Sequence, residues 1–214
     1  MHLETISVGT ELLLGQIVDT NAAWLSARLA EIGVAVYRRT TVGDNCERLV
    51  SALREALQRA PGVITIGGLG PTEDDLTREA IAEVLGEPLV LDEALAEQIR
   101  RLFGVRGRKP TAQQMRQAMR PPSARPIPNP NGTAPGLHVE KEGQFIIALP
   151  GPPNEFQPMV QEYVLPTLAS RAGGQVIRSR VLRMVGIGEA DAESALADLI
   201  QSKNPTLAPL AKLG

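Results

Sequence analysis

Residues 64–80, ITIGGLGPTEDDLTREA, run an apolar segment into a glycine turn and follow it with three consecutive acids, Glu73, Asp74 and Asp75. Gly67, Gly68 and Gly70 permit positive φ and close backbone approach, so the N–H groups of such a turn can face an anion. The pattern is neither a Walker loop, which needs Gly-Lys-Ser/Thr, nor the G-x-G-x-x-G dinucleotide fingerprint. Carboxylates beside a phosphate repel it unless a cation intervenes. A hard divalent ion such as Mg²⁺ uses one or two carboxylates together with phosphate oxygens and water. Such an ion polarises a phosphoryl oxygen, while a neighbouring carboxylate orients or deprotonates attacking water. The plainer alternative is a tight turn whose acids sit in the first turn of a helix, where the dipole favours them by about 0.3–1 kcal/mol.

The elements that must position these residues alternate along the chain. Residues 4–8 read as a strand, followed by the loop GTELLLGQIVDTN and a helix capped by Asp19 or Thr20, with Ala22, Leu25, Leu29 and Ile32 at helical spacing and Gly33 as its stop. VAVYRRTTV is a second strand. In DNCE, Asp44 and Glu47 have the spacing of a capping box for a helix striped by Leu49, Leu53, Ala56, Leu57 and Ala60. GVITI is a third strand, apolar enough to be buried on both faces, and the helix after it carries Leu76, Ala80, Ile81, Val84 and Leu85. This alternation predicts a doubly wound α/β fold with a mostly parallel sheet, whose ligands sit beyond the carboxyl ends of the strands. There the loops carrying Thr10 and Glu11, Gly43 and Asp44, and Gly67 to Asp75 converge. Glu11, Asp19, Asp44, Asp74 and Asp75 are thus the candidate acids, although a helix cap would by itself explain Asp19 or Asp44.

Residues 88–120 read as helical, and Arg100 to Arg125 holds eight basic residues and no acid. That run is a solvated face or a subunit contact; alternatively some of Arg106, Arg108, Lys109 and Arg116 reach phosphates. Nine of the 17 prolines fall within residues 121–153. PPSARPIPNPNGTAPG is too rich in proline to be regular and reads as a rigid part of a site. It leads into a hairpin, LHVEKEGQFIIALP, with Glu142-Gly143 at the turn. LPGPPNEF repeats the strand, glycine turn and helix scheme, the helix running from about Pro153 to Ser170. Beyond RAGG, a strand and a helix over Ala190 to Ile200 are too little to bury a core alone, so the expected division is 1–170 and an incomplete second domain, 171–214.

Composition narrows the function classes. A formal charge of −2, a pI near 5.8 and six aromatics among 214 residues give neither a basic field nor stacking platforms, which argues against nucleic acid as a partner. The lone Cys46 makes no internal disulfide and has no nucleophile's neighbours. His2 and His138 have no metal-ligand spacing, and no GxSxG elbow is present. With neither a signal peptide nor an 18-residue apolar run, the expectation is a cytoplasmic protein without membrane attachment.

VGTELLLGQIVDTNAAWL, GGLGPTEDDLT, NPNGTAPG and LPGPPNE, in this order, resemble the N-terminal domain of the CinA (competence/damage-inducible) family, over about residues 3–170. That domain belongs to the molybdopterin-binding fold shared with molybdopterin adenylyltransferases and MoeA-type insertases. VLRMVGIGEADAESAL and, after it, NPTLAPLAKLG resemble the start of the small KH-like domain of CinA proteins. The resemblance implies a three-layer αβα sandwich of the MogA-like type, assembled as a dimer or trimer. It also implies a pyrophosphatase that, with a divalent metal ion (Mg, Mn or Co), converts ADP-ribose or a related nucleotide diphosphate to AMP and ribose 5-phosphate. Full-length members often carry a C-terminal nicotinamide mononucleotide deamidase domain, of which these residues carry no sign. Carried over by motif, Asp44 and Asp75 take the places of functional aspartates; Glu11, an acid that no helix cap explains, is expected from its own position as the third catalytic acid. Gly67, Gly68, Gly70 and Thr72 line the nucleotide phosphates, and Asn131, Gly132 and Gly151 supply further substrate contacts. Asp19, Asp74 and Asp75 are the expected metal ligands. Leu69 stands where the adenylyltransferases have Thr, and PTEDD is more acidic than their version, which favours metal-assisted hydrolysis over pterin adenylylation. The competing readings are a molybdopterin adenylyltransferase or molybdopterin-binding protein, and a non-catalytic nucleotide-binding assembly module.

Overall fold

The structure, a computed structural model, describes residues 1–105, 107–172 and 180–208. The chain divides into two compact units, Met1–Arg178 and Ser179–Gly214. The first is built on a six-stranded sheet. Its strands are β1 (His2–Val8), β2 (Ala35–Val42), β3 (Gly62–Ile66), β6 (Arg125–Ile127), β7 (Gly136–Lys141) and β8 (Gln144–Leu149). They lie in the order β2-β1-β3-β8-β7-β6. β2, β1, β3 and β8 run parallel, and β7 and β6 close the edge antiparallel. The hairpin between β7 and β8 turns at Glu142 and Gly143, both at positive φ, as a tight two-residue turn requires.

Alternating residues of the sheet feed two cores. On one face Ile6, Val8, Val63 and Ile146 pack against α3 (Cys46–Arg59) and α4 (Thr77–Leu85). On the other, Leu3, Ile64, Ile66, Ile147 and Leu149 pack against α2 (Thr20–Glu31) and the helical run α7 (Pro153–Met159), a π turn (Val160–Val164) and α8 (Leu165–Ala169). The result is the expected three-layer αβα sandwich. β3 is buried along its whole length because both layers cover it. One helical turn, α1 (Thr10–Leu13), follows β1. Asp19 caps α2 by accepting from Ala22 N–H at 2.9 Å.

Three local expectations are corrected. α3 is capped by Asn45, whose side chain accepts from Arg48 N–H at 2.9 Å, so the Asp44/Glu47 capping box does not form. Two adjacent Asx residues compete for one cap, and Asp44 is engaged elsewhere. Residues 88–120 are not helical throughout: β4 (Val90–Leu91) and β5 (Met119–Arg120) pair antiparallel and enclose α5 (Glu93–Val105), α6 (Ala112–Met115) and a 3₁₀ turn, Arg116–Ala118. Leu95, Ala96, Ile99 and Ala118 give this lobe its own small core. The proline-rich segment is regular at β6, where only three residues pair and Pro126 stands on an edge strand.

In the second unit, α9 (Glu189–Ala195) and α10 (Ala197–Ile200) occupy the expected helical stretch, interrupted at Leu196. Residues 180–185 carry no strand, and the remainder of the expected strand lies outside the described residues. Among the described residues, no helix is long and apolar enough to cross a membrane.

Glu4 is the acid most enclosed by the sheet, 3% exposed, and it takes two hydrogen bonds of 2.9 Å from Arg59 at the end of α3. Those bonds hold its carboxyl below the usual carboxylate range against the opposing effect of burial. A depressed carboxylate contributes stability above its unfolded value, about 4.3, and loses it as pH falls through the folded value. Arg59→Met leaves Glu4 unpaired. It is expected to lower stability at pH 7 in urea denaturation, with the difference shrinking as pH falls through that folded value.

Candidate functional site

The carboxyl ends of β1, β2, β3 and β8 open onto a cavity of about 410 Å³. Each loop is pinned to its neighbour. Gly9 N–H donates to Val42 O at 3.0 Å. Thr10 and Asp44 clasp each other: Thr10 N–H donates to the Asp44 carboxylate at 2.9 Å, and Asp44 N–H donates to the Thr10 hydroxyl at 3.1 Å. Gly67 N–H donates to Leu149 O at 2.9 Å, so the glycine turn after β3 lies against the LPGPP turn after β8. A methyl at Gly67 would meet Val8 O at 2.5 Å, and φ there is +101°, so only glycine serves.

The glycine turn is shaped from below by α4. Thr77 donates its hydroxyl to Gly67 O at 2.8 Å and its N–H to Gly68 O at 3.0 Å. Arg78, 2% exposed, donates to Leu69 O at 2.6 Å and Gly70 O at 2.7 Å. Burial draws the Arg78 pKa below its ordinary value, while Glu79 and Asp75 push it back. A planar trans peptide points its C=O and the next N–H in opposite directions. Drawing the carbonyls of Gly67 and Gly68 onto Thr77 therefore turns the N–H groups of Gly68 and Leu69 the other way. Among the described residues, the N–H groups of Gly68, Leu69 and Gly151 donate to no backbone carbonyl, and all three residues line the cavity. The Leu69 side chain itself packs into the core.

The acids do not stand where a helix begins, since α4 starts at Thr77. Asp75 instead closes the preceding turn: one oxygen accepts from Gly70 N–H at 2.8 Å, the other from Thr72 N–H at 2.9 Å and the Thr72 hydroxyl at 2.5 Å. Glu11, Asp44, Asp74 and Asp75 all line the cavity. Asp19 does not; its oxygens are taken by Ala22 N–H and the Ser7 hydroxyl. The expected metal set of Asp19, Asp74 and Asp75 is therefore not assembled, and no three acids form a metal cage among the described residues. Of the expected contact residues, Gly67, Gly68, Gly70 and Gly151 line the wall. Thr72 serves Asp75, Asn131 donates to Asn154 O at 2.7 Å, and Gly132 faces Glu155, so Thr133 and Ala134 supply the lining there. Arg108 and Lys109 do not line the cavity; Arg116 pairs with Glu79 and Glu73, and Arg106 lies outside the described residues.

Three residues of the site escape sequence reasoning. Glu155 lines the cavity and is oriented by Asn129, which donates to it at 2.6 Å. Arg78 occupies the i−3 position to Ile81, where helical periodicity calls for an apolar residue, and that mismatch was its signal. Gln117 comes from the lobe, and nothing local marks it.

A metal fits this donor set only in one form. Asp44 keeps one oxygen free of Thr10, and Glu11 and Asp74 line the same cavity, but among the described residues no three acids stand close enough to cage an ion. That suits an ion arriving with phosphate oxygens and water, not one held by protein alone.

Sheet order, glycine turns and an acidic cavity at the strand ends define an α/β protein with its site beyond the carboxyl ends of the parallel strands. A family model described as "Probable molybdopterin binding domain" matches residues 4–170. The MoaB molybdopterin biosynthesis enzyme of Thermus thermophilus has a similar structure, with a TM-score of 0.50, 25% identity, and 83% of this chain and 99% of that one covered. Residues 179–214 match a model described as "Damage-inducible protein CinA KH domain". The chain belongs to the CinA family. It is 51% identical over 215 residues to the CinA-like protein of Dictyoglomus turgidum, covering all of this chain and 52% of that protein. The crystal structure of the protein CinA, of unknown function, from Thermoplasma acidophilum is similar with a TM-score of 0.73 and 37% identity, over 79% of this chain and 99% of that one. The chain spans about half the length of the curated relatives it matches.

Asp75→Ala removes the acceptor for three donors of the glycine turn. The expected loss is about 1–3 kcal/mol of stability. Amide hydrogen exchange at Gly70 and Thr72 is expected to accelerate by roughly tenfold or more, while β3 amides change less.

Proposed function

We propose that the cavity takes up a nucleotide diphosphate as its divalent-metal complex and hydrolyses the phosphoanhydride, ADP-ribose giving AMP and ribose 5-phosphate. One observation carries the reading: among the described residues, five carboxylates, of Glu11, Asp44, Asp74, Asp75 and Glu155, and no Lys or Arg line a wall made of glycine turns. Free backbone N–H groups suit phosphate oxygens, yet the acids would repel a bare diphosphate; its metal complex meets both demands. The N–H groups of Gly68, Leu69 and Gly151 bind non-bridging oxygens. Asp44 and Asp74 would hold the ion, which supplies charge neutralisation and polarises the phosphoryl oxygen. Glu11 accepts the proton of the attacking water as its oxygen bonds to phosphorus and the bridging P–O bond breaks. Asp75 and Arg78 keep the turn in shape.

A second reading, molybdopterin binding or adenylyl transfer to molybdopterin, is favoured by the match to the molybdopterin-binding family model over residues 4–170 and by the likeness to MoaB. It uses the same turns for the same kind of linkage, with an acceptor other than water.

AMP release from ADP-ribose with Mg²⁺, Mn²⁺ or Co²⁺ tests the first reading. Metal-dependent release is expected, and Asp44→Asn or Glu11→Gln is expected to lower kcat by about a hundredfold or more. Release without added metal, or unchanged in both variants, would overturn it; AMP transfer to molybdopterin without release would move the assignment to the second reading.

A further inference from the structure

Gln117 sits in the 3₁₀ turn of the lobe and is 2% exposed, yet it lines the cavity beside Thr133 and Ala134. Its Oε1 is buried and meets no hydrogen-bond donor among the described residues. A buried acceptor left unpaired is costly, so a donor brought by a ligand would stabilise it. The backbone on either side of Gln117 is held in place. Arg116 is tied to Glu79 at 2.9 Å and reaches toward Glu73, and Ala118 is fully buried in the lobe's core. Gln117 thus meets the cavity from a different element than the glycine turns that would hold phosphate.

We propose that Gln117 is the specificity residue of this site, its carboxamide reading the exocyclic amine of a heteroaromatic ring, the adenine of the bound nucleotide. The proposal rests on the nucleotide reading above. Oε1 accepts from the ring amine while Nε2 donates to a neighbouring ring nitrogen, the pairing by which Gln and Asn recognise adenine. A pterin also carries a ring amine, so the experiment separates the two sources.

The test is calorimetric titration of the 214-residue chain, in Mg²⁺, with AMP, with purine riboside 5′-monophosphate, which lacks the amine, and with neopterin. The wild-type chain is expected to bind AMP roughly tenfold or more tightly than the amine-free nucleotide. Gln117→Met is expected to bind both equally, at the weaker level. Its melting temperature should equal or exceed the wild type's, since the unpaired acceptor is gone. The wild-type comparison stands by itself if that variant does not fold. AMP binding equal in wild type and a folded Gln117→Met overturns the inference and leaves the nucleotide reading standing. A lowered melting temperature with both nucleotides weakened alike overturns it in favour of a structural role. Neopterin bound in place of AMP, or no ligand bound by the wild type, overturns the inference together with the nucleotide reading.

Discussion

The hydrogen bonds of Thr77 and the buried Arg78 at the start of α4 fix the direction in which the glycine turn faces. Arg78 commits its charge to the carbonyls of Leu69 and Gly70, and Thr77 takes those of Gly67 and Gly68. With four carbonyls drawn down onto the start of α4, the intervening amides have one direction left to point. Asp75 then absorbs the N–H of Gly70, which ends the row of free donors. The outward direction of the free N–H groups therefore depends on Thr77 and Arg78, neither of which lines the cavity. Sheet packing supplies the second half of the constraint, because Gly67 lies so close to Val8 that no side chain fits.

The conflict between amide donors and acids is resolved by a division of labour within one cavity. Asp75 is an internal strut, and Asp19 belongs to α2 and Ser7. Asp44, released from helix capping by Asn45, joins the loops after β1 and β2 and keeps an oxygen for the cavity. Carboxylates of one sequence class thus act as cap, strut, clasp and open donor, according to which N–H groups reach them.

The parallel strands, the covering helices and the hairpin were legible because each rests on a local rule: glycine stops, apolar stripes at helical spacing, and a turn at Glu142-Gly143. The converging loops followed from topology alone. What could not be read was any competition settled at a distance. Asp44 and Asn45 are equally competent caps in sequence, and Thr10, 34 residues away, decides between them. Glu73 to Asp75 look like a first helical turn until Asp75's bonds to Gly70 and Thr72 delay the helix to Thr77. The pairing of β4 with β5 joins residues about 30 apart across an insertion with weak strand signal, so neither the lobe nor Gln117's approach to the cavity could be inferred.

The lobe has a further meaning for how such a site can be altered. Its core of Leu95, Ala96, Ile99 and Ala118 is separate from the two cores of the sandwich, and it meets the cavity through the short segment around Gln117. Gly67 and Gly68 are so tightly boxed, both at positive φ, that a side chain there would meet Val8 or Thr77. The lobe carries no such burden. A change within the lobe would therefore reach the cavity while leaving the glycine turns that floor it as they are.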